Sequence, residues 1–152
     1  MRVWFLVLLL GCGDKAGDDT AADTASDTEA DADTDADSDC PQTHARVGHV
    51  AELETHHHDT AGTATILDDC TIQVTGFTYD GTGLDVRFYG ALGSDFDSGF
   101  ALTEDLIRDG GYSDETLTIT IPEGHTVDEV DSLSLWCVDV SRSFGDGVFV
   151  AP

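Results

Sequence analysis

Residues Thr71–Tyr89 read TIQVTGFTYDGTGLDVRFY, and this stretch decides the fold class. Its first half sets Ile72 and Val74 against Thr71, Gln73 and Thr75; its second sets Leu84, Val86 and Phe88 on one face and Asp85 and Arg87 on the other. Alternation with a period of two is the pattern of a half-buried β-strand. Between the halves lies Asp80-Gly81-Thr82-Gly83, and Gly and Asp tolerate positive φ, so the pattern predicts two strands joined by a tight turn. The parity of the apolar residues slips once: Ile72 and Val74 share one parity, Phe77 and Tyr79 the other. A β-bulge at Gly76 returns both aromatics to the core face.

Working outward, Thr63–Leu67 reads as the preceding hairpin partner, with Asp68-Asp69 as its turn. Val47–Leu53 holds a first short strand or turn. Thr116–Ile121, TLTITI, alternates cleanly and predicts a half-buried strand. Ser132–Val140 reads as another strand, with Leu133, Leu135 and Cys137 on one face and Trp136 and Val138 on the other. Gly147–Val150 reads as the last. Val127–Val130 is a connector, and Leu102–Arg108 reads as either a short helix or a strand edge. Short strands, Gly-rich turns and no strong amphipathic helix predict an antiparallel β-sandwich over residues 44–152.

The amino terminus has a different composition. Met1-Arg2 precedes eight apolar residues, Val3–Leu10. As a helix they span about 12 Å, too little for a hydrocarbon core of ~30 Å. A positive start and a short apolar run predict a secretory signal over residues 1–11. Its end, Leu9-Leu10-Gly11-Cys12, resembles a bacterial lipobox. That resemblance implies cleavage before Cys12, lipidation of its thiol and anchorage to the lipid bilayer. Acyl chains contribute roughly 0.8 kcal/mol per buried CH₂, so several of them hold a protein stably. Gly13 stands where an aspartate resembles an inner-membrane retention signal, which favours the outer membrane or cell surface.

Residues 12–40 read as a tether. Positions 13–39 carry eleven acids against Lys15, with no apolar periodicity. Such a stretch has nothing to bury against its conformational entropy and is expected to be disordered. As a flexible coil it spans about 30 Å, and self-repulsion extends it. Asp31, Asp33, Asp35, Asp37 and Asp39 alternate, but a calcium loop also needs a bend glycine and a terminal bidentate acid, and the spacing supplies neither.

The formal net charge is −25, and residues 40–152 alone hold twenty acids against four arginines. Phosphate backbones would repel such a surface, which argues against nucleic acid as a partner. A Gly-x-Ser-x-Gly elbow and a glycine-rich phosphate loop are both missing from the sequence, and the carboxylates are scattered over turns and polar strand faces. The run His56-His57-His58, with His49 nearby, offers imidazoles for a transition metal. No second ligand pair follows at zinc spacing, so the run reads as an exposed polar loop and no metal is assigned.

Five segments carry a wider resemblance. They are His58-Asp59-Thr60-Ala61-Gly62, Phe77–Gly83, Leu117–Pro122 with Gly124, Leu133–Cys137, and Phe144-Gly145. In order and spacing they resemble the DM-thirteen domain, the Skeletor-type, DOMON-related family that also occurs in bacterial lipoproteins. The resemblance implies a β-sandwich with an electron-transfer role, and makes Cys137, in the Trp136-Cys137 pair, the redox residue. The sequence departs from the family at Leu84, Ser132 and Cys70, which leaves that pair in place.

Once Cys12 is lipidated, Cys40, Cys70 and Cys137 remain, and in an oxidising compartment three leave one over. Pairing Cys40 with Cys70 closes a thirty-residue loop worth roughly 3–4 kcal/mol and leaves Cys137 free. The alternatives are a structural disulfide from Cys137 to Cys40 or Cys70, and a buried, inert Cys137. For haem, Cys-x-x-Cys-His is absent, and Met1 is the only methionine. Axial ligands would come from His58, at the family's histidine position, and then Cys137. The expectation is an extracytoplasmic lipoprotein whose redox domain uses Cys137 toward a partner protein. The rival is a non-enzymatic cell-surface binding or adhesion module.

Overall fold

The computed structural model describes residues 40–152. The expected signal over residues 1–11, Cys12 and the Asp-rich stretch to Asp39 lie outside the described residues. The strands are β1 (Val50–Glu52), β2 (Glu54–Thr55), β3 (Ala61–Asp68), β4 (Thr71–Tyr79), β5 (Val86–Ala91), β6 (Phe100–Ala101), β7 (Tyr112–Thr120), β8 (Ser132–Cys137) and β9 (Arg142–Val148). They form two antiparallel sheets, one ordered β1-β3-β4-β7 and the other β2-β9-β8-β5-β6. The predicted sandwich is the observed fold.

The core lies between the sheets. Ile66, Ile72, Val74, Phe77 and Tyr79 come from the first, and Val86, Phe88, Leu133, Leu135, Cys137 and Phe144 from the second. Each large apolar side chain so buried contributes about 1.5–3 kcal/mol, which fixes which face of every strand points inward. The bulge sits where the parity slip placed it. Register shifts between Val74 and Phe77, Gly76 has φ +63°, and Phe77 and Tyr79 return to the interior.

The tight-turn reading of Asp80–Gly83 is corrected. β4 and β5 do not pair; they lie in different sheets. Both edges of β4 are already taken, by β3 and β7, so the chain must cross to the other layer. The crossing is pinned at Gly81, where a Cβ would strike the Arg108 carbonyl and the Gly111 backbone. Leu84 therefore sits on the crossing, 65% exposed, and not on the core face with Val86 and Phe88.

Smaller differences have local causes. The strand Ser132–Val140 stops at Cys137, where a 3₁₀ turn over Val138–Val140 ends on Ser141 in the left-handed region at φ +45°. The last strand begins earlier than Gly147, at Arg142. Leu102–Arg108 is extended and irregular, and its Leu102 and Leu106 amides donate to the Phe88 and Val86 carbonyls at 2.7 Å each. Val127–Glu129 is a single 3₁₀ turn with a capping box from Thr126 and Glu129.

Candidate functional site

Cys137 closes β8 on its inward face, with Leu133 and Leu135, as the strand's alternation requires. It is unpaired and 2% exposed. Across the ladders it faces Val86 of β5 and Arg142 of β9. Trp136, its neighbour, points the other way into a small outer cluster with Ala91 and Phe96. The phenol of Tyr79, from the opposite sheet, lies within electrostatic reach of the thiol. Burial is the main reason that phenol's pKa is pushed up, with Asp80, Asp105 and Cys137 adding to it. Its hydroxyl donates to the Thr82 carbonyl at 2.5 Å.

Above Tyr79 sits His58. Residues His57–Thr60 make a turn in which His58 and Asp59 both have positive φ, 58° and 52°, closed by the Thr60 amide donating to the His57 carbonyl. Two consecutive non-glycine residues in that region cost of order 1–3 kcal/mol each and persist only where the surroundings hold them. Here His58 Nδ1 lies 2.9 Å from Asp80 Oδ2 and 3.1 Å from Thr82 Oγ1. Its ring packs on Phe144, centroids 4.1 Å apart, and meets Tyr79 edge-on at 6.3 Å. Partial burial works to raise the Asp80 carboxyl's pKa, but the hydrogen bonds from His58 and from the amide and hydroxyl of Thr82 outweigh it and hold the pKa below the usual value.

Glycines let these segments close on one another. A Cβ on Gly83 would fall 2.6 Å from Val86 Cγ2, 3.4 Å from Phe144 Cε2 and 3.5 Å from the Tyr79 hydroxyl. One on Gly145 would fall 2.7 Å from Thr60 Cγ2. Four of the five segments singled out in the sequence thus meet at one end of the sandwich, around Tyr79, Phe144 and Cys137. The resemblance read from the sequence pointed to His58 and Cys137 there. It missed Asp80, Thr82 and Phe144 as the groups that hold His58, because their parts depend on a contact between layers.

The other predicted site residues fall elsewhere. Cys40 and Cys70 are disulfide-bonded. The three histidines do not converge: His56 Nε2 goes to Asp146 at 2.9 Å, His57 Nε2 lies 3.5 Å from Arg142, and His58 goes to Asp80. Haem does not fit a Cys137 ligand, since that sulfur is enclosed by packed side chains that leave no face for a macrocycle. Two clefts, of about 240 and 550 Å³, are lined by the Ala91–Phe100 region with Glu129, and by Arg87, Leu102 and Ile119 with their neighbours; neither borders His58 or Cys137.

Comparisons with known proteins place this sequence in a family. A family model described as electron transfer DM13 matches residues 52–148. The chain is 26% identical over 110 residues to a cytochrome b561, DM13 and DOMON domain-containing protein of Arabidopsis thaliana, covering 70% of this chain and 12% of that protein. It is 30% identical over 105 residues to protein Skeletor, isoforms B/C, of Drosophila melanogaster, covering 64% of this chain and 13% of that protein. The chain thus spans only a small part of the length of these relatives. No solved structure matches it. The family match covers more than half of the chain and spans His58, Tyr79, Asp80, Cys137 and Phe144, so the chain belongs to the electron transfer DM13 family.

Proposed function

We propose that this domain is an extracytoplasmic electron-transfer module with Cys137 as its redox residue. The observation that carries the reading is the meeting of four family segments around one enclosed, unpaired thiol. Thiol–disulfide exchange needs a second sulfur at bonding distance and an accessible thiolate, and 2% exposure denies both to Cys137. Electron exchange with an oxidising partner protein docked at this end needs no such bond: the partner takes one electron, the thiol proton leaves with it, a thiyl radical stays on Cys137, and returning the electron and proton restores the thiol. The His58–Asp80–Thr82 contacts keep that end closed.

The amino-terminal segment would place the module. Cys12 as the lipidated residue and the acidic stretch as spacer put the domain outside the cytoplasm on a lipid anchor, at the outer membrane or cell surface. Cys12→Ser should then move the protein from the membrane fraction to the soluble extracytoplasmic fraction, and unchanged membrane association would reject the anchor. For the redox role, film voltammetry of the wild type should give a response that Cys137→Ala removes while the Cys40–Cys70 disulfide is kept. An identical response from the variant would reject Cys137.

A further inference from the structure

Away from that end, an arm of ten residues, Cys40–His49, leads into the sandwich and lies outside the stretch matched by the family model. Asp69 anchors it, accepting from the Thr43 and His44 amides at 3.1 and 2.9 Å and from the Thr43 hydroxyl at 2.9 Å. Arg46 reaches the carbonyls of Val127 and Val130 at 3.2 and 3.0 Å. The covalent joint is Cys40–Cys70, which ties the arm to the turn between β3 and β4. Beside the disulfide sits Asp68, 5% exposed, with its Oδ1 accepting from the Cys70 amide at 2.9 Å.

One ligand atom from each of Cys40, Asp68 and Cys70 lies within 4.8 Å of the others. Two sulfurs and one carboxylate oxygen are ligands that zinc takes, at about 2.3 Å for sulfur and 2.0–2.2 Å for oxygen. Tetrahedral geometry at that Zn–S length sets the two sulfurs about 3.8 Å apart. The Cα atoms, 5.8 Å apart, allow that separation by side-chain rotation alone. The Cys70 amide already orients the carboxylate, as an outer hydrogen bond does for a metal ligand. We propose that this joint is redox-exchangeable: a disulfide when oxidised, and a Zn²⁺ site built from Cys40, Cys70 and Asp68 when reduced.

The exchange balances. A dithiol reductant gives two electrons and two protons to the S–S bond, leaving two thiols and becoming a disulfide itself. Zn²⁺ then displaces the two thiol protons to solvent and forms two Zn–S bonds and one Zn–O bond, with water at the fourth position. The arm stays fastened to the β3–β4 turn in both states. The site does not involve Cys137, so it stands or falls apart from the electron-transfer reading.

The test uses the full chain, reduced with a phosphine, freed of reductant without air, and titrated with Co²⁺ and then Zn²⁺. The reduced protein should bind one Co²⁺ with a thiolate charge-transfer band, and Zn²⁺ should displace it. The oxidised protein should show no band. Cys40→Ser and Cys70→Ser should each lose tight binding, Asp68→Asn should weaken it at least tenfold, and Cys137→Ser should leave it unchanged. No band in the reduced wild type, or a full band in Cys40→Ser, would overturn the site. Unchanged affinity in Asp68→Asn would overturn the carboxylate's place in it.

Discussion

At the scale of single residues, Asp80 and Tyr79 set opposite limits on the pH range of the candidate site. The Asp80 carboxyl has its pKa held below the usual value, so its contribution to stability is present above about pH 4 and is lost as pH falls through the folded-state value. Asp80→Asn should be less stable than the wild type at neutral pH, and the gap should narrow in acid; urea unfolding at several pH values reads this. The Tyr79 pKa is raised by burial, so its contribution is complete below about pH 10 and is lost as pH rises beyond. Tyr79→Phe should flatten the alkaline limb, at a cost of about 1 kcal/mol at neutral pH for the lost hydrogen bond to Thr82. His58 and Cys137 were singled out through the family resemblance, and the structure brings both to the same end of the sandwich, against Tyr79. Asp80 was not, because it is one acid among twenty in the domain and only its contact with the His57–Thr60 turn distinguishes it.

At the scale of elements, local pattern was a good guide wherever one strand decides its own fate. The alternation in Ser132–Cys137 placed Cys137 inward and Trp136 outward, and the slip at Gly76 placed the bulge. It failed where pairing decides. Asp80–Gly83 has the composition of a tight turn, but nothing within Thr71–Tyr89 says that β4 already has two partners. The same contrast separates two glycines. Gly76 has φ +63°, and a Cβ there would meet only Asp114 Oδ1 at 3.6 Å, so Gly76→Ala should cost about 1–2 kcal/mol through backbone strain alone. Gly81 combines φ +77° with direct collision against the Arg108 carbonyl and the Gly111 backbone. Gly81→Ala should therefore cost clearly more than Gly76→Ala in the same urea titration, because the crossing must move. Equal losses would contradict the packed crossing between the sheets.

At the scale of the whole molecule, charge and cross-linking act on the same described domain. Twenty acids against four arginines repel one another in the compact state, so raising salt from low ionic strength to about 0.5 M should raise the melting temperature, as screening predicts. The Cys40–Cys70 bond restrains the unfolded chain over a separation of thirty residues, and Cys40→Ser should cost roughly 3–4 kcal/mol in the absence of added metal. Composition announced the acidity at once, whereas cysteine count alone left three pairings open, and only the approach of the arm to the β3–β4 turn selects one. The most direct measurement is differential alkylation of the oxidised protein, native and then unfolded, followed by peptide mapping. Cys40 and Cys70 should appear linked, and Cys137 should take label alone and only after unfolding. A linked Cys137, or one labelled at once in the native protein, would contradict an enclosed, unpaired thiol at the meeting point of the family segments.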